Sequence, residues 1–230
     1  MSATQIFKLY NYVYDSRIHL LEMIADRGYD VSHLTEYTID EIKHMLEEHI
    51  SGKFDSSADI GPLDIYLEKQ TGASIEKIYV KYRLDVKFKS NNSLTTQITS
   101  IYENHLTTKD TLIIINVSRI LKNPGIKDKA DEDFSNKLLI TKNYFIQLFG
   151  LENFLINVSR HQFVPKHRIL SKLETQAILS QFNCSITNIP TIKRDDAQAK
   201  YIGLRPKQVC EIQVENVTSG VTTRYRLCVN

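Results

Sequence analysis

Two histidines six residues apart, His161 and His167, are the first candidates for chemistry in this chain. They flank the dipeptide Val164-Pro165, and their ring nitrogens could bind a metal or transfer protons. The pair has no third ligand, and a protein metal site normally needs more than two. We therefore interpret both histidines as residues that form structural hydrogen bonds.

A second set of residues combines carboxylates with a lysine. Asp64 lies two positions after Pro62, and Asp85 and Lys87 lie about twenty residues further on. Two carboxylates can hold a divalent cation while a lysine stabilises charge. The set resembles a loose version of the Pro-Asp…(Asp/Glu)-x-Lys motif of metal-dependent nucleases. A leucine interrupts the motif, and the polar face of a strand also explains its last two members. A nuclease is kept as the alternative function.

Composition narrows the remaining possibilities. The three cysteines, Cys184, Cys210 and Cys228, form no Cys-x-x-Cys pair and are interpreted as buried thiols. A formal net charge of +2 is too mild to indicate a general nucleic-acid binder, so contact with DNA requires a local patch. No run of about 18 apolar residues occurs, so no membrane span is predicted. We expect no cofactor, no metal and no membrane partner.

The amino-terminal part has helical patterns followed by strand patterns. Apolar residues recur at helical spacing up to Gly28, and Thr38 with Glu41 forms a capping box that opens a second helix. Residues 78–89 alternate between apolar and polar side chains, which predicts a strand with one buried face and one wet, basic face. A helix and then a strand at residues 112–117, buried on both faces, indicate an α/β arrangement with a parallel strand pair.

A basic loop follows this buried strand. It contains Arg119, Lys122, Asn123, Pro124, Lys127 and Lys129. Its Asn-Pro-Gly turn could present backbone amides and short side chains to a phosphate backbone. The acidic residues 131–133 favour the alternative of a solvated loop, and both interpretations stay open. An apolar run over residues 138–154 comes next, and we place a domain boundary near Gly150 and a strand at residues 154–158.

The last third predicts a small α+β module. Ser171 with Glu174 forms a second capping box, and Asp196 can cap a short helix that ends at Gly203. Two alternating strands form a terminal hairpin, in which Cys210, Ile212 and Val214 are expected to face Tyr225, Leu227 and Val229. Tyr201, Arg224, Tyr225 and Arg226 could form an interface cluster, since Tyr and Arg anchor protein contacts. The alternative is that the tyrosines pack internally and the arginines are solvated.

Taken in order, these residues resemble one family, the fifth-largest subunit shared by the eukaryotic nuclear RNA polymerases, whose carboxyl-terminal part is a separate small subunit of the archaeal enzyme. The family pattern corresponds here to Ile156-Asn157, His161, Val164-Pro165, His167, Leu170-Ser171, Glu174, Asp196, Ala199-Lys200-Tyr201, Gly203, Gln208-Val209 and Tyr225-Arg226. The amino-terminal part is similar more loosely, through residues 26–29 and the buried strand. The resemblance is therefore to the two-domain, eukaryotic-type form.

Three departures from the family pattern stand out. Ala197 replaces a proline, and Lys207 replaces a glycine, which predicts a turn without a positive φ. In the first domain only Pro124 matches the family's Thr-Pro-Ser-Ala stretch near downstream DNA. Such drift, in a chain rich in Ile, Asn and Lys, would suit the polymerase of a large DNA virus.

The resemblance implies an α+β protein with an α/β jaw domain of nuclease-like architecture at residues 1–149, followed by a small assembly domain at residues 150–230. It implies a non-catalytic structural subunit of a multisubunit DNA-directed RNA polymerase. The assembly domain would dock on the largest subunit, and the jaw would lie near downstream duplex DNA, with weak and sequence-independent contact. The location would be the nucleus, or the virion and host-cell cytoplasm for a viral polymerase. The expected interface residues are His161, Val164, Pro165, His167, Tyr201, Gly203, Arg224, Tyr225 and Arg226.

Overall fold

The computed structural model describes residues 3–35, 37–51, 61–72, 74–83, 91–116, 129–216 and 220–230. Contacts divide the chain into a first unit, Met1–Ile156, and a second unit, Asn157–Asn230. Each unit combines helices with one four-stranded sheet, so the α+β class is confirmed. None of the helices in the described ranges is long and apolar enough to cross a membrane.

The first unit begins with two helices that pack against each other, α1 (Ala3–Asp26) and α2 (Ile39–Ser51). Gly28 has a φ of +87°, a conformation that glycine adopts without strain, and α1 ends just before it. The predicted capping box is confirmed. The backbone N–H of Thr38 donates to Glu41 Oε2 at 2.7 Å, and the Glu41 N–H donates to Thr38 Oγ1 at 3.3 Å.

The first sheet contains β1 (Ile65–Thr71), β2 (Ser74–Arg83), β3 (Thr111–Asn116) and β4 (Ile146–Gly150), in that order. The β1–β2 pair is antiparallel, whereas β2–β3 and β3–β4 are parallel. Helices α3 (Asn91–Asn104) and α4 (Lys129–Lys142) lie in the two parallel connections. The predicted parallel pair is therefore confirmed, and so is the burial of β3.

The expectation of one wet face along β2 is wrong at Tyr79. This side chain is fully buried in a cluster with residues of α3, including Ile98 and Ile101. The reason is that β2 is an inner strand whose second face is covered by a helix, so a polar-looking position becomes core. Residues 84–89 of the predicted strand lie outside the described residues.

The predicted strand at residues 154–158 is also wrong. A 3₁₀ helix occupies Leu151–Phe154, and its residues Leu151 and Phe154 are buried in a segment that contacts α1. The residues just after Gly150 therefore pack within the first unit, and the division between the units lies after Ile156 rather than near Gly150.

The second unit has a sheet of order β5-β7-β8-β6, with helices α5 (Lys172–Gln181) and α6 (Ala197–Ile202). Its strands are β5 (Lys166–Ile169), β6 (Thr191–Lys193), β7 (Val209–Asn216) and β8 (Gly220–Val229). Only the β6–β8 pair is parallel, and β7 with β8 forms the predicted terminal hairpin.

The hairpin register differs from the prediction. Cys210 lies opposite Arg226 and Ile212 lies opposite Arg224, and paired residues point to the same face of a sheet. Tyr225 and Leu227 therefore share the other face with Val209. Alternation within a strand cannot fix this, because a slip by one residue exchanges the two faces. Both faces carry apolar residues, one packing on α5 and the other on α6.

The turn before β7 contains a second difference. Lys207 has a φ of +71°, so the prediction of a turn without a positive φ is wrong. The Lys207 N–H donates to the Cys228 carbonyl at 3.0 Å, and the Cys228 N–H donates to the Gln208 carbonyl at 2.8 Å. Strand β8 thus holds the turn in a conformation that suits glycine better than lysine.

Candidate interface in the second unit

The predicted histidine box forms a loop that bonds to itself. The Val164 N–H donates to the His161 carbonyl at 2.9 Å, and the Phe163 N–H donates to His161 Nδ1 at 3.3 Å. His167 Nδ1 lies 2.8 Å from the Pro165 carbonyl oxygen, so this nitrogen must carry a proton and donate it. Each histidine therefore fixes local backbone, as its interpretation as a structural residue requires.

Two hydrogen bonds tie α6 to the segment that precedes this loop. Asn157 Nδ2 donates to the Tyr201 hydroxyl at 3.3 Å, and Gln198 Nε2 donates to Ser159 Oγ at 3.1 Å. Helix α6 is itself held at both ends, since the Asp196 side chain accepts from two backbone amides and Gly203 has a φ of +73°. Tyr201 and Gly203 are thus half-buried residues that position the loop and its helix.

The other predicted cluster is divided between the two faces of the sheet. Tyr225 lies edge-on to Phe182, with ring centroids 6.1 Å apart, on the face that packs against α5. Arg224 and Arg226 point to the opposite face, in the same rows as Ile212 and Cys210. Arg226 Nη1 donates to the Tyr225 carbonyl at 3.0 Å, and Arg224 is exposed. The structure therefore does not bring the tyrosine and the arginines together as one surface.

Sequence reasoning missed a pair of salt bridges beside the second capping box. Arg168 Nη1 lies 2.6 Å from Glu174 Oε1, and Arg168 Nη2 lies 2.9 Å from Glu211 Oε2. Arg168 and the amide and hydroxyl of Ser171 lower the pKa of Glu174 to about 2. The capping box was visible in the sequence, but the contact with Glu211 follows from the β5–β7 register.

The second unit also contains an open groove, which we call the β7 groove. It has a volume of about 450 Å³ and is lined by residues 159–166, 213–215 and 221. Phe163 is 81% exposed and Val221 is 64% exposed on its walls. His161, Val164 and Pro165 of the predicted interface line this groove, whereas His167, Tyr201, Gly203 and the residues of β8 from 224 to 226 do not.

The buried thiols do not form a reactive site. Cys210 and Cys228 are buried, as expected, and all three cysteines are unpaired. Burial raises the pKa of the Cys228 thiol to about 12 and also raises that of Cys210. Both residues are therefore protonated thiols at neutral pH, and the thiolate rather than the thiol is the nucleophile.

Asp64, the first acid of the nuclease-like motif, already accepts hydrogen bonds at both oxygens. Its donors are the backbone N–H groups of Gly61 (2.9 Å) and Tyr82 (3.1 Å), the Tyr79 hydroxyl (2.9 Å) and Lys81 Nζ (3.4 Å). The side chain is fully buried, so it serves the fold. Among the described residues, no group of three His, Cys, Asp or Glu side chains could hold a metal ion. The second acid and the lysine of the motif lie outside those residues.

The predicted DNA-proximal residues are mostly beyond the reach of the geometry. Arg119, Lys122, Asn123, Pro124 and Lys127 lie outside the described residues. Lys129 begins helix α4, and its side chain is likewise outside the described part.

Comparison with known proteins gives the class. A family model described as RNA polymerase Rpb5, C-terminal domain, matches residues 156–228, which is almost the whole second unit. DNA-directed RNA polymerases IV and V subunit 5B of Arabidopsis thaliana is 27% identical over 227 residues, covering 94% of this chain and 89% of that protein. DNA-directed RNA polymerase subunit Rpo5 of Pyrococcus abyssi is 37% identical over 73 residues, which cover 32% of this chain and 89% of the archaeal protein.

These matches define the class as a subunit of multisubunit DNA-directed RNA polymerase, which agrees with a fold that shows no catalytic constellation among its described residues. The similarity to the plant protein extends through both units, whereas the archaeal protein matches about a third of the chain. The chain belongs to the Rpb5/Rpo5 family of RNA polymerase subunits.

Proposed function

We propose that this chain is a non-catalytic structural subunit of a DNA-directed RNA polymerase. The observation that supports this most directly is the match of the family model to residues 156–228, which almost coincide with a complete folded unit. The histidines, cysteines and Asp64 that could have supported catalysis are engaged in the fold instead. Catalysis is assigned to other subunits of the enzyme.

The second unit is the assembly domain, and it docks on the largest subunit. Support comes from its exposed apolar side chains, which are more typical of an interaction surface than of a solvated face. Its charge also suits a partner with acidic groups, since residues 157–230 contain eleven Lys and Arg against five Asp and Glu, a net charge of +6. The remaining polymerase subunits are further partners.

The first unit is the jaw domain, and its α/β sheet with two parallel pairs is compatible with the nuclease-like architecture of the family. Residues 1–156 contain eighteen Lys and Arg against twenty-two Asp and Glu, a net charge of −4, so contact with downstream DNA must be local. We assign it to the basic loop that ends at Lys129. Phosphate contacts carry no sequence information by themselves, so binding is independent of sequence.

A nuclease, the alternative function, receives no support. Its first acid, Asp64, is saturated by protein donors and fully buried, and a catalytic carboxylate needs access to a metal and substrate. The protein resides with its polymerase, which for a nuclear enzyme means the nucleus. For the polymerase of a large DNA virus, it means the virion and the host-cell cytoplasm.

Affinity purification of the tagged full-length chain from its native source tests the subunit assignment. Two co-purifying chains far larger than this one are expected, and the complex should synthesise RNA from a DNA template. An untagged culture taken through the same purification is the control. Recovery of the tagged chain alone would contradict the subunit assignment.

The contact with DNA is tested separately. Replacing Arg119, Lys122, Lys127 and Lys129 together should leave assembly and RNA synthesis intact. Elongation complexes should lose stability as salt is raised, because each lost phosphate contact removes a log–log salt slope of roughly −0.9. The loss should be similar on every template. Equal half-lives for variant and wild type across the salt series would assign this loop to solvent.

A further inference from the structure

The β7 groove exists because strand β7 is longer than its neighbour β5. The β5–β7 ladder pairs residues 166–169 with residues 210–213, whereas β7 continues to Asn216 beside β8. The next position on β5 would be Pro165, which has no N–H to donate to a ladder. The chain before Lys166 therefore leaves the sheet, and the groove opens between it and Val214 and Glu215.

Both walls of the groove are already fixed without an occupant. The loop wall is held by the two bonds from Val164 and Phe163 to His161, and the strand wall is held by β8 through the pairs Val214–Thr222 and Glu215–Val221. A preformed groove needs little ordering when it binds a partner, so more of the contact energy appears as affinity.

The chemistry of the walls indicates the occupant. Phe163 and Val221 present large exposed apolar surfaces, and Val164, Pro165 and Val214 extend the apolar lining. Arg160 and Lys166 add positive charge to the loop wall against the single carboxylate of Glu215, within a unit of net charge +6. An apolar groove with a basic rim is complementary to a peptide segment that carries both apolar and acidic side chains.

We propose that the β7 groove binds an extended segment of another polymerase chain, with apolar side chains against Phe163 and Val221 and a carboxylate beside Lys166. This inference rests on the proposed function and specifies which surface of the second unit makes the contact. Nucleic acid is disfavoured because four aliphatic residues line the groove and only Phe163 and His161 offer rings for stacking.

Two matched pairs of variants test the groove in the complete polymerase. Phe163→Ala is compared with Leu173→Ala, because Leu173 is 78% exposed on α5 and does not line the groove. Lys166→Glu is compared with Lys193→Glu, because both lysines are exposed and lie on opposite edge strands. Each tagged full-length variant replaces the wild-type chain, and the amount retained per large subunit is measured through a series of salt and urea washes.

Phe163→Ala and Lys166→Glu should each weaken retention by roughly tenfold, as expected for residues central to a contact, while the two controls stay near wild type. A photo-crosslinking amino acid in place of Phe163 should attach to a polymerase chain at an apolar, acidic segment, and the same group in place of Leu173 should not. Circular dichroism and thermal unfolding of the variants confirm that the unit is folded.

The outcomes separate this inference from the proposed function. If wild type co-purifies with the large chains but both groove variants are retained as well as their controls, the groove inference is overturned and the subunit assignment stands. Crosslinking of position 163 to nucleic acid, or to no chain, also overturns it. If wild type itself brings down no large chain, the subunit assignment and the inference built on it both fail.

Discussion

Replacing Lys207 with glycine should stabilise the second unit. Lys207 has a φ of +71°, in the left-handed region that side chains with a Cβ rarely adopt. The turn cannot relax, because strand β8 bonds to Lys207 and Gln208 through Cys228, and Gln208 Oε1 also accepts from the Arg205 N–H at 2.8 Å. The lysine side chain is exposed, so its removal should cost little.

The size of the effect follows from two opposing contributions. A left-handed conformation costs a residue with a Cβ about 1–2 kcal/mol, and glycine avoids this cost. Glycine also gives the unfolded chain more freedom, which offsets about 0.4–1 kcal/mol of that gain. The expected net increase in the free energy of unfolding is therefore about 1 kcal/mol. For a domain of this size, that raises Tm by roughly 4–8 °C.

Hydrogen exchange of the intact chain provides the assay, because it reports on each unit separately. Amides of β7 and β8 that exchange only when the second unit unfolds should exchange roughly fivefold more slowly in Lys207→Gly. Amides of the first unit should be unchanged. Lys207→Ala is the matched control, since it removes the same side chain but keeps the Cβ. Equal protection in the glycine and alanine variants would refute the argument from φ.

Three further predictions concern the two units. Ser171→Ala should lower the free energy of unfolding by about 1 kcal/mol in thermal denaturation, because the Glu174 N–H loses its 3.2 Å bond to Ser171 Oγ. The pKa of Glu174 is lowered from 4.5 to about 2, so its contribution to stability is complete above pH 4.5 and is lost as pH falls through 2; Glu174→Gln should flatten the measured profile between these values, and an unchanged profile would contradict the assignment. Asp64→Ala should destabilise the first unit by roughly 3 kcal/mol in urea titration, since several buried donors lose their acceptor, and the wild-type chain should not cut plasmid DNA with Mg²⁺ or Mn²⁺; metal-dependent cleavage that Asp85→Ala with Lys87→Ala abolishes would revive the nuclease.

The features that the sequence predicted correctly depend on neighbouring residues. Both capping boxes close through hydrogen bonds between positions three residues apart, so residue types and spacing suffice to recognise them. Strand β3 was recognisable because an unbroken apolar run is typical of a strand buried on both faces. The family boxes were visible for a similar reason: Asn157, Asp196 and Gly203 each satisfy a local backbone requirement.

The features that only the tertiary structure decided depend on how distant segments pair. The β7–β8 register places Tyr225 and Arg226 on opposite faces, and a pattern of period two cannot distinguish one register from its neighbour. Helix α3 turns Tyr79 into core, and β8 holds Lys207 at a positive φ, although neither residue type favours that state. The β7 groove has the same origin, because it lies where a long strand outlasts its partner. Local hydrogen bonds can be inferred from composition and spacing, whereas pairing between distant segments is set by the packing of the whole unit.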